Sequence, residues 1–128
     1  MRVLVCGGRD FRDKQKLSET LDAIVPRTAA DRYGNWLPSD ITILSGGAPG
    51  ADRMAADWAV VNWCDLREFP ANWRAHGPAA GPIRNQRMID EGMPDLVVAF
   101  PGGRGTADMV SRARKAGIEV IEVPASGI

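Results

Sequence analysis

Short apolar runs alternate along this chain with stretches in which apolar residues recur every three or four positions. The runs are typical of buried strands, and the recurring spacing is typical of amphipathic helices. Strands are predicted at Val3 to Cys6, Ile41 to Leu44, Asp65 to Phe69, Leu96 to Phe100 and Ile118 to Val123. This alternation predicts an α/β fold, here a Rossmann-like three-layer sandwich with a parallel five-stranded sheet between two layers of helices.

The composition of the strands predicts their order in the sheet. The first, second and fourth strands are almost wholly apolar, as suits interior parallel strands, whereas the third and fifth carry charged residues that suit the edges. With right-handed crossovers, this gives the spatial order 3-2-1-4-5. The order reverses between strands one and four. In open α/β sheets, the ligand crevice lies at such a switch point, beyond the carboxyl ends of the strands.

Helical spacing and two longer connections complete the predicted layout. The apolar stripes are Leu17, Leu21, Ile24 and Val25 in the first helix, Met54, Ala55, Trp58 and Val61 in the second, and Met109, Val110 and Ala113 in the last, which stops at Gly117. Residues 26–39 form a long connection. Residues 70–82 are rich in Gly and Pro and are interpreted as a loop over the crevice, with Pro82 at the first position of the next helix.

Length and charge narrow the classes of function. The chain has 128 residues, enough for one domain spanning 1–128, and its 16 basic and 16 acidic residues give a formal net charge of zero. This balance disfavours binding to nucleic acid through a generally basic surface. No apolar run approaches the roughly 20 residues of a transmembrane helix, and the apolar stretch before Gly7 is too short for a signal peptide. We therefore expect a cytoplasmic protein without a membrane partner.

The cysteines and the single histidine argue against two kinds of chemistry. Cys6 and Cys64 lack CxxC spacing and are expected to be buried free thiols. With His76 as the only histidine, a zinc site of the usual kind cannot be assembled. No nucleophile-elbow pattern supports a Ser-His-Asp triad. We therefore predict no metal and no cofactor.

Glycine-rich turns follow the first, second and fourth strands, all at the same end of the predicted sheet. Any one of them can simply be a turn that connects a strand to a helix. However, glycine also lets the backbone approach a ligand, and each turn leads into a helix whose free N–H groups attract an anion. Together they predict a phosphate-binding crevice. The candidate ligand-binding residues in these turns are Gly7, Gly8, Arg9, Ser45, Gly46, Gly47, Gly50, Ala51, Asp52, Pro101, Gly102, Gly103, Arg104, Gly105 and Thr106.

Arginine makes up 13 of the 16 basic residues, and several arginines fall in or beside these turns. The planar guanidinium fork matches phosphate in bidentate geometry. Arg84 and Arg87 are three positions apart after Pro82, so they share one side of a helix and are the candidates to close on the phosphate. Arg112, on the last helix, is expected to lie away from the crevice.

Four motifs, in order along the chain, resemble a known family. Gly7-Gly8-Arg9-Asp10-Phe11, Gly46-Gly47-Ala48-Pro49-Gly50-Ala51-Asp52, Ala80-Gly81-Pro82-Ile83-Arg84-Asn85 and Phe100-Pro101-Gly102-Gly103-Arg104-Gly105-Thr106 are together similar to the YspA-type, cpYpsA-related branch of the SLOG superfamily. That superfamily includes lonely-guy phosphoribohydrolases, which cleave nucleoside monophosphates to base and ribose 5-phosphate. It also includes DNA-processing protein A and sensor domains for nucleotide-derived signals.

The resemblance to the phosphoribohydrolases is incomplete at one position. In their motif, PGGxGTxxE, the Glu assists cleavage of the glycosidic bond, and Met109 stands at that position here. Asp108 comes one residue early, about 100° away around the helix, where its carboxylate equally suits the helix N-terminus. If this protein cleaves an N-glycosidic bond, a carboxylate must stabilise an oxocarbenium-like sugar. Asp10, at the switch point, and Asp108 are the candidate catalytic residues.

The sequence therefore predicts binding of a phosphorylated, ribose-containing nucleotide or nucleotide-derived molecule, and leaves open whether the protein hydrolyses it. The alternative is a non-catalytic sensor or sequestering module for an ADP-ribose-like signal, which needs the same crevice and no acid. A third interpretation, binding of single-stranded nucleic acid, would use exposed aromatic residues, and the zero net charge counts against it.

Two tryptophans have no place in the predicted core. Trp63 lies five positions after Trp58, roughly 140° around the second helix, and Trp36 lies in the long connection. Large aromatic residues outside the core of a monomer are enriched at protein interfaces, and the related phosphoribohydrolases are homodimers. We therefore predict a homodimer or larger homo-oligomer in which a second chain buries Trp63 or Trp36. The alternative is that the long connection folds back over Trp63.

Overall fold

Strands and helices alternate along the chain in a computed structural model that describes residues 1–29 and 40–125, with only the backbone described for residues 26–29. The strands are β1 (Arg2–Cys6), β2 (Thr42–Ser45), β3 (Asp65–Glu68), β4 (Leu96–Ala99) and β5 (Glu119–Glu122). The helices are α1 (Lys14–Ala29), α2 (Ala51–Val61), α3 (Trp73–His76), α4 (Ala80–Asp90) and α5 (Arg104–Lys115), with a 3₁₀ turn at Gly77–Ala79. Within these ranges, no helix combines the length and the apolarity needed to cross a membrane.

The five strands form one parallel sheet in the order β3-β2-β1-β4-β5. β4 is buried along its whole length, and β1 and β2 are buried at all but their first residues. By contrast, β3 and β5 expose charged residues at the two edges. The predicted α/β fold and strand order are thus confirmed. The reversal of order puts the switch point where β1 and β4 end, at Cys6 and Ala99.

Helices cover both faces of the sheet. On one face, Leu17 and Leu21 of α1 pack with Trp58 of α2, and the Trp58 indole N–H donates to Asp22 at 3.0 Å. On the other face, α4 and α5 bury Met88, Ile89, Met109, Val110 and Ala113. These two layers hold the turns at the carboxyl end of the sheet in place.

The strand bounds shift by a residue or two at most, the first helix is longer than predicted, and one predicted core residue is wrong. The first helix continues through Pro26 to Ala29, so the part of the 26–39 connection beyond Ala29, with Trp36, lies outside the described residues. Val61 was predicted to face the sheet but is 75% exposed. The buried stripe of α2 runs along Ala51, Ala55 and Ala59, and Val61 is roughly 200° around the helix from Ala59.

The segment predicted as a crevice loop, residues 70–82, is largely helical. Asn72 caps α3 by accepting the N–H of Ala75 at 3.0 Å, and the 3₁₀ turn joins α3 to α4. α4 begins at Ala80, so Pro82 is its third residue and not its first. Proline is tolerated there because N–H groups in the first turn of a helix have no acceptor within the helix.

Candidate functional site

A cavity of about 940 Å³ lies at the switch point. Its volume is near the upper end of the range of roughly 300–1,000 Å³ for small-molecule sites. Its walls come from the turns after β1, β2 and β4, from α3, and from the first turns of α4 and α5. The lining includes Cys6, Gly7, Gly8, Arg9, Gly46, Asp52, Trp73, Arg84, Asn85, Gly103, Arg104, Gly105, Thr106 and Asp108.

Glycines allow the three turns to pack closely against one another. The Cβ of a side chain on Gly7 would lie 2.6 Å from the Cβ of Ala51, and one on Gly50, whose φ is 81°, would overlap the carbonyl oxygen of Gly8. Gly8 and Gly102 meet backbone to backbone, so that a Cβ on Gly8 would lie 3.1 Å from the Cα of Gly102. Contacts within the protein therefore account for these glycines. Gly50, Ala51 and Gly102 frame the cavity without lining it.

The turn between β2 and α2 uses much of its hydrogen-bonding capacity internally. The N–H of Gly47 donates to Oγ of the buried Ser45 at 3.2 Å, and the N–H of Ala48 donates to Oδ2 of Asp52 at 3.3 Å. The N–H of Ala51 donates to the carbonyl of Gly8 at 3.2 Å. Residues of this turn were predicted to bind phosphate. The N–H groups of Gly47, Ala48 and Ala51 do not fit that prediction, because each already donates to an acceptor within the protein.

The turn between β4 and α5 keeps its N–H groups available. Within residues 1–29 and 40–125, no acceptor receives the N–H of Arg104, Gly105 or Thr106, and Gly103 at the N-cap supplies no side chain that would do so. A Cβ on Gly103 or Gly105 would meet no atom within 4 Å, so no internal contact requires glycine at either position. Free N–H groups at a helix N-terminus carry partial positive charge. This turn can therefore accept an anion.

Arg84 is held between the turns after β2 and β4. Its Nη1 donates to the carbonyl of Gly46 at 2.6 Å, and its Nε donates to Oδ1 of Asn85 at 3.0 Å. The buried Asn85 in turn donates to the carbonyl of Gly105 at 3.2 Å. Burial lowers the pKa of the Arg84 guanidinium, while the charge of Asp52 counteracts that effect. Asn85 thus ties the guanidinium to the first turn of α5.

Asp52 is a buried carboxylate in the wall of the cavity. Burial raises its pKa from 3.8 to about 6, although the N–H of Ala48 and the charges of Arg84 and Arg9 oppose this shift. Cys6 also lines the cavity, and burial, followed by the charge of Asp52, raises the pKa of its thiol to about 12. Cys6 therefore stays protonated at neutral pH. Both Cys6 and Cys64 are buried and free, as predicted.

The two candidate catalytic carboxylates differ in position. Asp10 is exposed and does not line the cavity. Asp108 lines it, but its Oδ2 accepts hydrogen bonds from Asn85 at 3.0 Å and from Nε of Arg112 at 2.8 Å. Burial would raise the pKa of Asp108, yet these two hydrogen bonds and the charge of Arg112 outweigh burial and lower it. Met109 is buried in the core and also lines the cavity, but its side chain offers no acid in place of the Glu of the motif.

Two arginines differ in part from what sequence reasoning suggested. Arg112 does not line the cavity, in agreement with its expected position, but it pairs with Asp108, which is one helical turn earlier and does line it. Arg87 does not line the cavity. Its Nε donates to Glu91 at 3.1 Å, and its guanidinium lies 5.7 Å from the ring centre of Phe69. Arg87 is about 4.5 Å further along α4 than Arg84, which takes it past the cavity.

Sequence reasoning missed several lining residues, among them Asn85 and Trp73. Asn85 is the last residue of the motif that begins at Ala80. Its burial could not be predicted from its charged neighbours on α4, because it results from the packing of α4 on α5. Trp73 lies in the segment taken for a loop, although a large aromatic residue amid Gly and Pro is a usable signal for a ligand contact. Of the other predicted residues, Ser45, Gly47 and Pro101 do not line the cavity.

A parallel sheet of this order, with glycine-rich turns around a crevice at its switch point, defines a Rossmann-like α/β protein. The chain belongs to the YspA, cpYpsA-related SLOG family, whose sequence model matches residues 1–76. It is 35% identical over 130 residues to the Gene 61 protein of Mycobacterium phage D29, and the alignment covers 94% of each chain. The resemblance inferred from the four motifs is thus confirmed.

The fold is also found in a solved structure. DNA processing protein A from Streptococcus pneumoniae matches with a TM-score of 0.67 and 18% sequence identity. The match covers 98% of this chain and 50% of that one, so the present chain spans about half the length of that protein. At this level of identity, the likeness supports the fold.

Proposed function

We propose that the protein binds a phosphorylated, ribose-containing nucleotide, or a molecule derived from one, in this cavity, and that residues 1–128 act as one domain. The observation that carries the proposal is the first turn of α5. The N–H groups of Arg104, Gly105 and Thr106 have no acceptor in the described part of the chain, and Arg84 lines the same cavity. A helix N-terminus with free N–H groups is a natural phosphate site. Membership of the SLOG family supports a nucleotide-related ligand.

The charges around the cavity suit an anionic group. Among the described residues, three arginines line it: Arg9, Arg84 and Arg104. Of the two carboxylates in that part of the chain that line it, Asp108 is offset by its ion pair with Arg112 at 2.8 Å. Asp52 has a pKa raised by burial to about 6, which reduces its ionised fraction in mildly acidic solution. The protein has zero formal net charge, so the positive charge is local and favours a small anion over a long nucleic acid.

Binding without hydrolysis is the form of this function that the contacts favour. Asp10 lies outside the cavity, Asp108 is held by Asn85 and Arg112, and Met109 is buried. A sensor or sequestering module for an ADP-ribose-like signal fits this arrangement. One observation keeps hydrolysis as a second candidate: Asp52 lines the cavity with a pKa of about 6, and a carboxyl group with such a pKa can exchange a proton near neutral pH.

Calorimetric titration with the four common nucleoside monophosphates, ADP-ribose and ribose 5-phosphate tests the proposal. We expect saturable binding by at least one of them, and loss of about 1.5–3 kcal/mol of binding free energy in Arg84→Ala, the usual worth of a hydrogen bond to a charged group. Arg114→Ala is the matched control, because Arg114 pairs with Glu122 on the exposed surface at the far end of α5. Equal losses in the two variants would show that the site is elsewhere.

Chromatography of the same mixtures separates the two candidate functions. A sensor leaves the nucleotide intact during long incubation, whereas a phosphoribohydrolase releases the free base. If base is released, Asp52→Asn should abolish the release while binding persists. Release that survives in Asp52→Asn would exclude this carboxylate as the acid.

A further inference from the structure

We infer that Trp73 is the surface on which the base of the bound nucleotide stacks, an inference that rests on the function proposed above. Trp73 is the first residue of α3 and lines the cavity, and it remains 49% exposed. By contrast, Trp58 buries its ring in the core and donates its indole N–H to Asp22. Packing within the chain therefore accounts for Trp58 but leaves about half of the Trp73 surface open to a ligand.

The position of the Trp73 ring is fixed on several sides. The cap made by Asn72 on the N–H of Ala75 holds the single turn of α3 that carries the indole. A Cβ on Gly81 would lie 3.5 Å from Cη2 of Trp73, so one edge of the ring rests against the first turn of α4. The guanidinium of Arg9, from the turn after β1, lies 5.7 Å from the ring centre. A ring held in this way loses little conformational entropy when a ligand stacks on it.

The cavity has two chemically different walls. The first turn of α5 and Arg84 supply N–H groups and positive charge, whereas Trp73, Pro78 and Pro82 supply apolar surface around α3 and the start of α4. A nucleotide has the same two parts, since a charged phosphate and a planar base are joined through the ribose. A sugar phosphate without a base would leave the apolar wall uncovered. The pairing of an anion site with an indole therefore points to a base-bearing ligand.

Base stacking predicts a specific pattern of affinities. The wild-type protein should bind its preferred nucleoside monophosphate at least about five-fold more tightly than ribose 5-phosphate, because stacking of one base on an aromatic side chain is worth about that much or more. Trp73→Leu should remove this advantage and leave the affinity for ribose 5-phosphate unchanged, whereas Trp73→Phe should keep most of it. Trp63→Leu is the matched control, because Trp63 precedes β3 at the opposite end of the sheet and does not line the cavity.

Calorimetry of these variants, with circular dichroism as a check on folding, distinguishes the outcomes. The inference is overturned if the advantage of the nucleotide survives in Trp73→Leu, or if the affinity for ribose 5-phosphate falls equally, since Trp73 would then act only through the fold. If no probe binds the wild-type protein, the proposed function itself fails, and the stacking role with it. Proton spectra of the unmodified protein provide a test without a variant. Stacking should shift the base protons upfield, and unshifted base protons at saturation would contradict it.

Discussion

Asp52 provides a quantitative test of whether burying its carboxylate in the cavity wall lowers the free energy of unfolding. Burial raises the pKa of Asp52 in the folded protein to about 6, against an ordinary value of 3.8 that applies to the unfolded chain. The folded state therefore binds more protons than the unfolded state between these two values, and the free energy of unfolding falls as pH rises through that window. The difference between the two pKa values corresponds to about 3 kcal/mol. That is a large part of the roughly 5–15 kcal/mol that stabilises a typical domain.

The variant Asp52→Asn removes the charge and keeps the shape. Its amide oxygen can still accept the N–H of Ala48, as Oδ2 of Asp52 does at 3.3 Å. At pH 7.5 we expect the free energy of unfolding to rise by up to about 3 kcal/mol, and at or below pH 4 we expect little difference, because Asp52 is then largely protonated in the folded wild type. Urea denaturation of both proteins between pH 4 and 7.5 measures the difference. Asp57→Asn, at an exposed position on the same helix, should give a curve parallel to that of the wild type.

The result that would refute this reasoning is a flat difference between the two pH curves, or a variant that is less stable than the wild type at pH 7.5. Either would mean that the N–H of Ala48 and the charges of Arg84 and Arg9 stabilise the carboxylate at least as much as burial destabilises it. The protonation of Asp108 does not affect the comparison over this pH range, because the pKa of Asp108 is lowered. Its contribution to stability is present above its unfolded pKa and is lost only as pH falls through the lower folded value, outside the measured range.

Three further predictions concern the frame of the site, the anion-binding turn and self-association. Gly50→Ala should lower the free energy of unfolding by about 2 kcal/mol or more, because a φ of 81° is strained for alanine and the new Cβ would overlap the carbonyl of Gly8. Gly105→Ala should instead leave stability unchanged or raise it by about 0.5–1 kcal/mol, and weaken nucleotide binding by filling space beside the free N–H groups; equal destabilisation of the two variants in urea would contradict this division. Because Trp63 is 83% exposed, we expect light scattering to show at least a dimer and Trp63→Arg to shift it towards monomer. A wild-type particle of 13.8 kDa at micromolar concentration would reject that prediction.

The fold could be predicted from the sequence because the hydrophobicity of a strand and its position in the sheet have the same cause. Interior parallel strands are buried on both faces, so the wholly apolar strands had to be central and the strands with charged residues had to be at the edges. The core of α2 was harder to predict. Besides Ala55 and Trp58, which were predicted, its buried side includes Ala51 and Ala59, and hydrophobicity alone gave more weight to Val61, which is exposed.

The candidate site could be predicted only in outline. The carboxyl ends of parallel strands meet at one edge, so the convergence of the three turns follows from the topology. Which N–H groups stay available does not follow from it, because that depends on side chains that fold back, such as Ser45 on Gly47 and Asp52 on Ala48. The role of Arg112 was likewise hidden, since its pairing with Asp108 decides how that carboxylate behaves.

If the turn after β4 binds phosphate as proposed, this binding does not require the Glu of the phosphoribohydrolase motif. The groups available to an anion there are backbone N–H groups, whereas Met109 is a buried side chain that packs in the core and borders the cavity. The N–H groups of Arg104, Gly105 and Thr106, and the hydrogen bond from Asn85 to the carbonyl of Gly105, do not involve the side chain at position 109. Hydrolysis would in addition require a carboxylate that reaches the sugar. The variant Met109→Glu, which introduces an acid at this position, tests this argument. It should keep nucleotide affinity within about ten-fold of the wild type if the N–H groups of the first turn of α5 bind phosphate independently of residue 109. Loss of all binding in a variant that still folds would show that phosphate binding depends on the side chain at that position.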